Sequence, residues 1–276
     1  MTLEVEICTY GLDGLQRVAQ MTLPPVEGVR YRICMQNPDC AAVELPEALR
    51  RPDVDFFQHP TRGLSVNRNV ALDRAEADII LIADDDLHYT AEGLRAVIDT
   101  FAADPTLDFA TFKFECSAPK SYPTESIKLN VQREKRYIAC SIEIAVRRKS
   151  LPKSIRFSPQ AGIGAPVFGC AEENLFLQRL LLKGLYDRFF PITICNHPQI
   201  VTCCRIFSPS ILRGFGLLMW IQFHNASFFQ KYIMFLPRVV VRAYYVKTPI
   251  YKTIYYMLSG YFKAHKYFNN DLSDRV

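Results

Sequence analysis

Acidic residues almost disappear from the last third of the chain. Residues 198–276 contain two Asp or Glu against ten Lys or Arg, a net charge of +8. Residues 1–116 have the opposite balance, with twenty acidic and ten basic residues (net −10), while residues 117–197 have six acidic and thirteen basic residues (net +7). Basic segments attract the phosphates of nucleotides, nucleic acids or anionic lipids. We therefore expect the basic C-terminal part of the chain to contact an anionic partner.

The chain also lacks the marks of secreted, disulfide-bonded and membrane-spanning proteins. Its first eight residues include two glutamates and no basic stretch before an apolar run, so we expect no secretory signal. The nine cysteines form no Cys-x-x-Cys pair, and the adjacent Cys203-Cys204 has no metal ligands near it in sequence, which indicates free thiols in a reducing cytosol. The apolar stretch 211–236 is interrupted by polar residues too often for a spanning helix.

What the chain does contain is an alternation of strand and helix patterns. Its 276 residues, 49% of them hydrophobic, are enough to bury a full core. The patterns predict strands at 5–9, 29–35, 54–57, 79–83, 109–116, 140–147 and 189–195, and helices at 15–21, 64–75, 91–102 and 172–183. This order predicts an α/β fold, a Rossmann-like, mainly parallel sheet flanked by helices. We assign residues 1–205 to this domain and residues 206–276 to a basic, aromatic-rich helical extension.

Two arrangements of the extension are compatible with its sequence. Its helices either form a cap packed on the α/β domain, or lie in a membrane interface with aromatic and basic side chains toward an anionic inner leaflet. The residues that motivate the second arrangement are Trp220, Tyr244, Tyr245, Tyr255 and Tyr256, interspersed with Lys and Arg. The expected location is therefore the cytoplasm, either free or peripheral on the inner face of the cytoplasmic membrane.

Three consecutive aspartates, Asp84-Asp85-Asp86, directly follow the apolar run 79–83. In an open α/β sheet, ligands bind beyond the carboxyl ends of the strands. Adjacent carboxylates repel each other unless a cation is present, and oxygen ligands of this kind suit Mg²⁺ or Mn²⁺. The alternative is an acidic turn that merely precedes the helix starting after Thr90.

The three aspartates resemble the Asp-x-Asp motif of family 2 glycosyltransferases, which have the GT-A fold. Other segments resemble the same family in the same order: Cys8–Gly11, Gly63–Ala71, Ser141–Ala145, Gly162–Ala165 and Gly169–Glu173. The resemblance covers residues 3–196, and residues 197–276 match no part of it. Two positions depart from the family pattern, since Gln36-Asn37 replaces an Asp pair and Glu172-Glu173 replaces Glu-Asp.

The resemblance implies a role for each matching residue on the donor side. Thr9 and Tyr10 would border the nucleotide base, Gln36 or Asn37 would read the base or ribose, and Arg68 would contact phosphate or ribose. Arg68 alone is equally compatible with a salt bridge on a helix face. Asp84 would contact ribose or metal, Asp85 the donor sugar and Asp86 the metal.

On the acceptor side, the resemblance implies that Glu173 is the general base and that Glu172 orients the acceptor. The alternative is that both acids only interact with the positive end of their helix. Gly162 and Gly164 would lie in a mobile loop over the acceptor, or in an ordinary surface loop. His197 follows a predicted strand, where it would either approach the diphosphate or have a structural role.

These roles together imply an inverting transfer of a sugar from a nucleotide-sugar donor, with UDP as the default nucleotide, to an acceptor hydroxyl. The acceptor would be a growing surface glycan or a lipid-linked saccharide, and we expect no nucleic-acid partner. Two other functions stay open. A nucleotidyltransferase typically has a Gly-rich basic loop after the first strand, whereas this chain has no Lys or Arg there before Arg17. A non-catalytic module of a membrane glycan-assembly complex would not need crowded carboxylates.

Overall fold

The computed structural model describes residues 1–117, 120–129, 138–197, 207–223 and 228–272. The predicted domain boundary at 205–206 and the Cys203-Cys204 pair lie outside these ranges. Eight described strands form one sheet: β1 (Leu3–Tyr10), β2 (Val29–Gln36), β3 (Val54–His59), β4 (Ile79–Ala83), β5 (His88–Tyr89), β6 (Phe109–Cys116), β7 (Ile144–Arg147) and β8 (Asp187–His197).

Seven described helices surround this sheet. They are α1 (Gly11–Ala19), α2 (Leu64–Arg74), α3 (Ala91–Ala103), α4 (Glu172–Leu182), α5 (Pro209–Phe223), α6 (Phe228–Tyr245) and α7 (Ile250–Leu272). The first four belong to the α/β domain, and the last three form the helical extension. In the described part of the chain, no helix combines the length and hydropathy needed to cross a membrane.

The strand order of the sheet is β3-β2-β1-β4-β7-β6-β8-β5. Strand β1 pairs in parallel with both β2 and β4, while β7 runs antiparallel between β4 and β6. Four of the seven strand pairings are parallel, which confirms the predicted α/β fold with a mainly parallel sheet. The order reverses between β1 and β4, so a crevice for ligands is expected beyond their carboxyl ends.

Strand β4 is buried on both faces, as its continuous apolar run predicts. Ile79 and Leu81 face a core shared with α1 and α3, whereas Ile80 and Ile82 face a second core shared with α2 and α4. The strand is therefore fixed from both sides, and the loop that follows it starts from a well-determined position.

One predicted strand is shorter than its sequence pattern suggests. Residues 140–147 were expected to be extended, but a 3-10 turn occupies Ser141–Glu143 before β7 begins. The main-chain N–H of Cys140 donates to Oε2 of Glu143 at 2.9 Å, and this bond closes the turn. The turn keeps Glu143 fully buried, where its carboxylate contacts Lys120 and Tyr122 at 2.6 Å each.

The helical extension packs on the α/β domain through a shared core. Phe168 and Leu175 of the domain lie in one apolar cluster with Leu217, Trp220 and residues of α7. Trp220 is only 2% exposed, so it belongs to this core rather than to a membrane-facing surface. Helices α5 and α7 approach closely enough that a Cβ on Gly260 would overlap the backbone of Arg213.

Other side chains of the extension remain on the surface. Tyr251, Tyr255 and Phe262 of α7 are about two-thirds exposed, at 68%, 67% and 66%. Their spacing of four and seven residues places them on one face of the helix. On α6, Tyr244 is 80% exposed. The extension therefore contacts the domain with one set of residues and presents a second, apolar set outward.

Candidate active site

The three aspartates lie where β1 and β4 end side by side. Ala83, the last residue of β4, pairs with Ile7 of β1, so Asp84, Asp85 and Asp86 extend beyond the sheet next to the end of β1. Each of the three is only partly buried. The structure thus places the triplet at the point where the strand order reverses, the usual place for a ligand in this type of sheet.

Asp85 is bound to the end of β1 and to α1. Its carboxylate accepts a hydrogen bond from Oγ1 of Thr9 at 2.5 Å and two from the guanidinium of Arg17, at 3.1 and 2.7 Å. Gly14 makes this contact possible, because a Cβ at that position would overlap Oγ1 of Thr9. No sequence motif points to Arg17 as a site residue, and only the fold shows that it positions Asp85.

Arg68 joins a carboxylate at the end of β4, Asp84, to one at the start of α4, Glu172. Its guanidinium donates to Asp84 at 2.8 Å, to Glu172 at 2.7 Å and to the hydroxyl of Ser141 at 2.8 Å. The side chain is 2% exposed. Burial opposes its charge, but the Asp84 and Glu172 carboxylates outweigh that effect and raise its pKa. The structure therefore places Arg68 in a buried ion-pair network, which we call the Arg68 network (Arg68, Asp84, Glu172 and Ser141).

Asp86 faces His197 at the end of β8. The distance between Oδ1 of Asp86 and Nε2 of His197 is 3.6 Å. Burial raises the pKa of Asp86, with a further contribution from Asp84, while the proximity of His197 lowers it. His197 is only 8% exposed. The Asp86 carboxylate and the His197 imidazole therefore form a partly buried pair of potential metal-binding groups beside Asp84.

This donor set is compatible with a divalent metal that a substrate helps to hold. Within the described ranges, no group of three or more His, Cys, Asp or Glu side chains is arranged to hold a metal ion by itself. Mg²⁺ is usually held by one or two carboxylates together with substrate phosphates. Asp84 and Asp86 match that description, and the imidazole of His197 suits Mn²⁺ as well.

The residues predicted to read the nucleotide lie at the ends of β1 and β2; β1 is the neighbour of β4, whereas β2 is separated from β4 and the triplet by β1. Tyr10 is 46% exposed, and its hydroxyl accepts a hydrogen bond from Arg62 at 2.6 Å. Gln36 is buried; its amide nitrogen donates to Oγ1 of Thr61 at 3.0 Å and to a main-chain carbonyl at 3.1 Å. The amide nitrogen of Asn37 donates to the carbonyl of Ala41 at 2.8 Å and to Oε1 of Gln58 at 2.7 Å, and its amide oxygen accepts from the main-chain N–H of Ala41 at 3.1 Å.

Glu172 and Glu173 begin α4 in different environments. Glu172 contacts Arg68, whereas Oε1 of Glu173 accepts a bond from the amide of Asn174 at 2.9 Å. Burial raises the pKa of Glu173 well above its ordinary value, and repulsion from Glu172 adds to this effect. The residue before them, Ala171, has a φ of +71°, a strained left-handed conformation that often occurs at functional sites.

Glu173 also lines a cavity of about 680 Å³ between the domain and the extension. The cavity walls include residues of α5 and α6, so the extension forms part of this site. The loop with Gly162 and Gly164 lies against the start of α2, where the main-chain N–H of Leu64 donates to the carbonyl of Ile163 at 2.9 Å. Both glycines have positive φ angles, +103° and +80°. A Cβ on Gly162 would lie 2.9 Å from Oγ of Ser65 and 3.2 Å from Cδ of Glu172, so the loop packs closely against Glu172.

Part of the chain is similar to a known sequence family, and its fold is similar to that of solved structures. The sequence model of glycosyl transferase family 2 matches residues 41–154, and no curated protein sequence matches the chain. The crystal structure of S. aureus TarS aligns with 97% of this chain and 44% of its own length, at a TM-score of 0.55 and 16% identity. This chain therefore spans less than half the length of that TarS chain.

Two further TarS structures contain ligands. TarS 1–349 in complex with UDP-GlcNAc aligns with 98% of this chain and 92% of its own, at a TM-score of 0.57 and 14% identity. TarS 1–349 in complex with UDP aligns with 100% of this chain and 75% of its own, at a TM-score of 0.55 and 16% identity. At this level of identity, the likeness shows a common fold.

The segment 41–154, which matches the model of glycosyl transferase family 2, contains Arg68, the three aspartates and Glu143. The surrounding architecture is the GT-A fold of the TarS structures. The family match agrees with the resemblance read from the motifs, and the structural alignments show the fold that this resemblance implies.

Proposed function

We propose that this chain transfers a sugar from a nucleoside-diphosphate donor, UDP by default, to an acceptor hydroxyl with inversion at the anomeric carbon. The observation that carries the proposal is the Arg68 network. It places one buried cation between Asp84, at the end of β4, and Glu172, at the start of α4. The network therefore holds a candidate donor site and a candidate acceptor site at a fixed distance from each other. A direct displacement without a covalent intermediate requires such fixed positions.

On the donor side, Asp84 and Asp86 would hold Mn²⁺ or Mg²⁺ together with the diphosphate, with His197 close enough to contribute. When bound, such an ion supplies positive charge against the diphosphate that leaves. Thr9, Tyr10 and Gln36 border the place where the base and ribose would lie. Asp85 holds the end of β1 against α1 through Thr9 and Arg17. It would therefore contribute to the donor pocket both by positioning Thr9 and by its negative charge.

On the acceptor side, Glu173 would accept the proton of the attacking hydroxyl. The new bond forms between the acceptor oxygen and the anomeric carbon as the bond to the diphosphate oxygen breaks on the opposite face. A raised pKa makes the Glu173 carboxylate a stronger base once it is ionised. Glu172 is held by Arg68 and cannot move far, so it suits the role of orienting the acceptor or the base.

The test compares substitutions on the two sides of the site. Asp86→Asn should abolish the Mn²⁺-dependent part of UDP binding, measured by calorimetry, while Glu173→Gln should bind UDP and Mn²⁺ normally. Glu173→Gln should lose transfer by roughly 100- to 10,000-fold, the usual contribution of a general base. Asp99→Asn and Glu92→Gln, on the exposed face of α3, are matched controls and should behave as the parent.

The products distinguish the reaction classes. Release of UDP from a UDP-sugar supports sugar transfer, whereas release of inorganic diphosphate from UTP in the presence of a sugar 1-phosphate would indicate nucleotidyl transfer. UDP affinity that is equal with and without Mn²⁺ would contradict the metal assignment, and transfer by Glu173→Gln within a few-fold of the parent would contradict the base. Absence of any donor turnover by the parent would favour a non-catalytic module.

We also propose that the outward face of the extension contacts an anionic membrane. The aromatic stripe Tyr251, Tyr255 and Phe262 is exposed beside Lys252 and Lys263, and each basic residue near an anionic bilayer contributes about 1 kcal/mol. Flotation with phosphatidylglycerol-containing vesicles at low salt should recover the protein, and high salt should release it. Failure to float at low salt would leave only the role of a helical cap.

A further inference from the structure

The cavity beside Glu173 is lined mainly by apolar side chains, which is unusual for a site that binds only a saccharide. Most of the side chains that line it are apolar, among them Phe215, Leu218 and Met219 of α5, Val241 of α6 and Met257 of α7. A sugar enclosed by such walls would lose hydrogen bonds to water without replacing them, at a cost for each hydroxyl. The walls instead favour an apolar group on whatever ligand enters beside Glu173.

The charged residues of the same cavity are mostly basic. Lys120, Arg238 and Arg242 line it, and among the described lining residues Glu173 supplies the carboxylate. The Arg242 guanidinium stacks on the ring of Phe215 with 3.4 Å between Cζ and the ring centre. Stacking holds a guanidinium in one plane, and arginine in a fixed plane is suited to bind phosphate with two parallel hydrogen bonds. Because Lys120 already pairs with the buried Glu143, it is the two arginines that favour an anionic group on the ligand.

The cavity also continues to the outward surface of the extension. Val241 and Tyr245 line it and are 52% and 55% exposed. Tyr244 and Val240, their neighbours on α6, are exposed as well. An apolar chain that begins in the cavity could thus leave it along the apolar surface of α6 without entering bulk water. The volume of about 680 Å³ is within the range of pockets that enclose a small ligand.

We propose that this cavity binds the acceptor, and that the acceptor is a saccharide joined through a phosphate or diphosphate to an apolar chain. The sugar hydroxyl reaches Glu173, the phosphate lies against Arg242 and Arg238, and the chain follows Val241 and Tyr245 outward. The identification of this ligand as the acceptor rests on the proposed function, whereas the existence of a lipid-phosphate site does not.

The experiment uses geranyl phosphate as the probe, titrated into the full chain without vesicles and followed by calorimetry. Geraniol and inorganic phosphate are titrated separately, since they carry the two halves of the probe. Geranyl phosphate should bind, and each half alone should bind at least roughly tenfold more weakly, because the apolar walls and the arginines contribute separately. Equal binding of geraniol or of inorganic phosphate would overturn the proposal.

Variants locate the site. Arg242→Gln and Arg238→Gln should each weaken geranyl phosphate roughly tenfold or more, and Leu218→Trp should block the cavity. Lys153→Gln, an exposed change on the α/β domain, is the matched control for lost positive charge and should leave binding unchanged. Unchanged affinity in both arginine variants would place the probe elsewhere and overturn the proposal.

The affinity for UDP with Mn²⁺ is measured on the same samples, so that the two proposals fail separately. It should remain at the parental value in the arginine variants, which also shows that they are folded. UDP binding without geranyl phosphate binding would overturn this inference alone. Geranyl phosphate binding without UDP binding would support the lipid-phosphate site while contradicting the proposed function.

Discussion

Replacing Arg68 with methionine removes the cation that joins Asp84 to Glu172. Arg68 and Glu172 have side chains only 2% and 7% exposed, so the Glu172 carboxylate would be left buried without its partner. Breaking a buried ion pair by removing one member typically costs about 3–5 kcal/mol. Asp84 is 36% exposed and can be solvated, so most of this loss should come from Glu172. We therefore expect Arg68→Met to lower the free energy of unfolding by about 3–5 kcal/mol.

A double substitution separates the charge effect from the loss of packing. Arg68→Met combined with Glu172→Gln removes both buried charges, so the double variant should be more stable than the sum of the single losses predicts. The expected coupling energy is about 1–3 kcal/mol, in the range for residues in direct contact. Denaturant unfolding measures it, followed in parallel by far-UV circular dichroism and by the fluorescence of Trp220, the one tryptophan of the sequence.

Donor binding gives a second, independent readout. The double variant should regain stability but not UDP affinity, because Asp84 no longer has the guanidinium that holds its carboxylate in place. Additive losses, with a coupling energy near zero, would show that Arg68 does not neutralise Glu172. Full recovery of UDP affinity in the double variant would show that Arg68 matters to the fold and not to the position of Asp84.

Three further substitutions test other parts of the site and core. Gly14→Ala should separate Thr9 from Asp85 and weaken UDP binding without unfolding the protein, as calorimetry and thermal melting would show; unchanged UDP affinity would contradict this. Burial raises the pKa of Glu6 to about 9, so the native state binds more protons than the unfolded state and stability should fall as pH rises from about 5 to 9. Glu6→Gln should flatten that dependence, which at pH 7 amounts to roughly 3 kcal/mol; an unchanged slope in denaturant unfolding would refute it. Because burial also raises the pKa of Glu173, the transfer rate should increase with pH as its carboxylate ionises, and a pH-independent rate would argue against its role as base.

The sequence predicted the position of the three aspartates because the signal is local. A continuous apolar run predicts a strand buried on both faces, and β4 has the predicted bounds, Ile79–Ala83. The carboxylates follow directly, so their placement at the sheet edge needed no knowledge of the rest of the fold. The start of α4 at Glu172 was predicted for the same reason, from the acids that precede its apolar positions.

The partners of these residues could not be predicted in this way. Arg17 is 68 positions from Asp85, and Arg68 is 104 positions from Glu172. A single sequence shows that Arg68 is basic and lies on a helix, but a buried network and a surface salt bridge have the same sequence pattern. Glu143 was predicted to lie in an extended strand, and only the fold shows the buried turn that brings its carboxylate to Lys120 and Tyr122.

The charge asymmetry of the chain has a structural counterpart in the two sides of the site. The acidic N-terminal part of the chain supplies the aspartates of the proposed donor side. The basic C-terminal part supplies the arginines of the cavity beside Glu173. The helical extension is not independent of the α/β domain, because α5 is hydrogen-bonded to the loop that precedes Glu172. The main-chain N–H of Gly169 donates to the carbonyl of Ser210 at 2.8 Å, and the guanidinium of Arg213 donates to the carbonyl of Val167 at 2.8 Å. A change in α5 therefore acts on the start of α4 directly. Because Glu172 at that position pairs with Arg68, which also pairs with Asp84, the Arg68 network couples the proposed acceptor side to the proposed donor side.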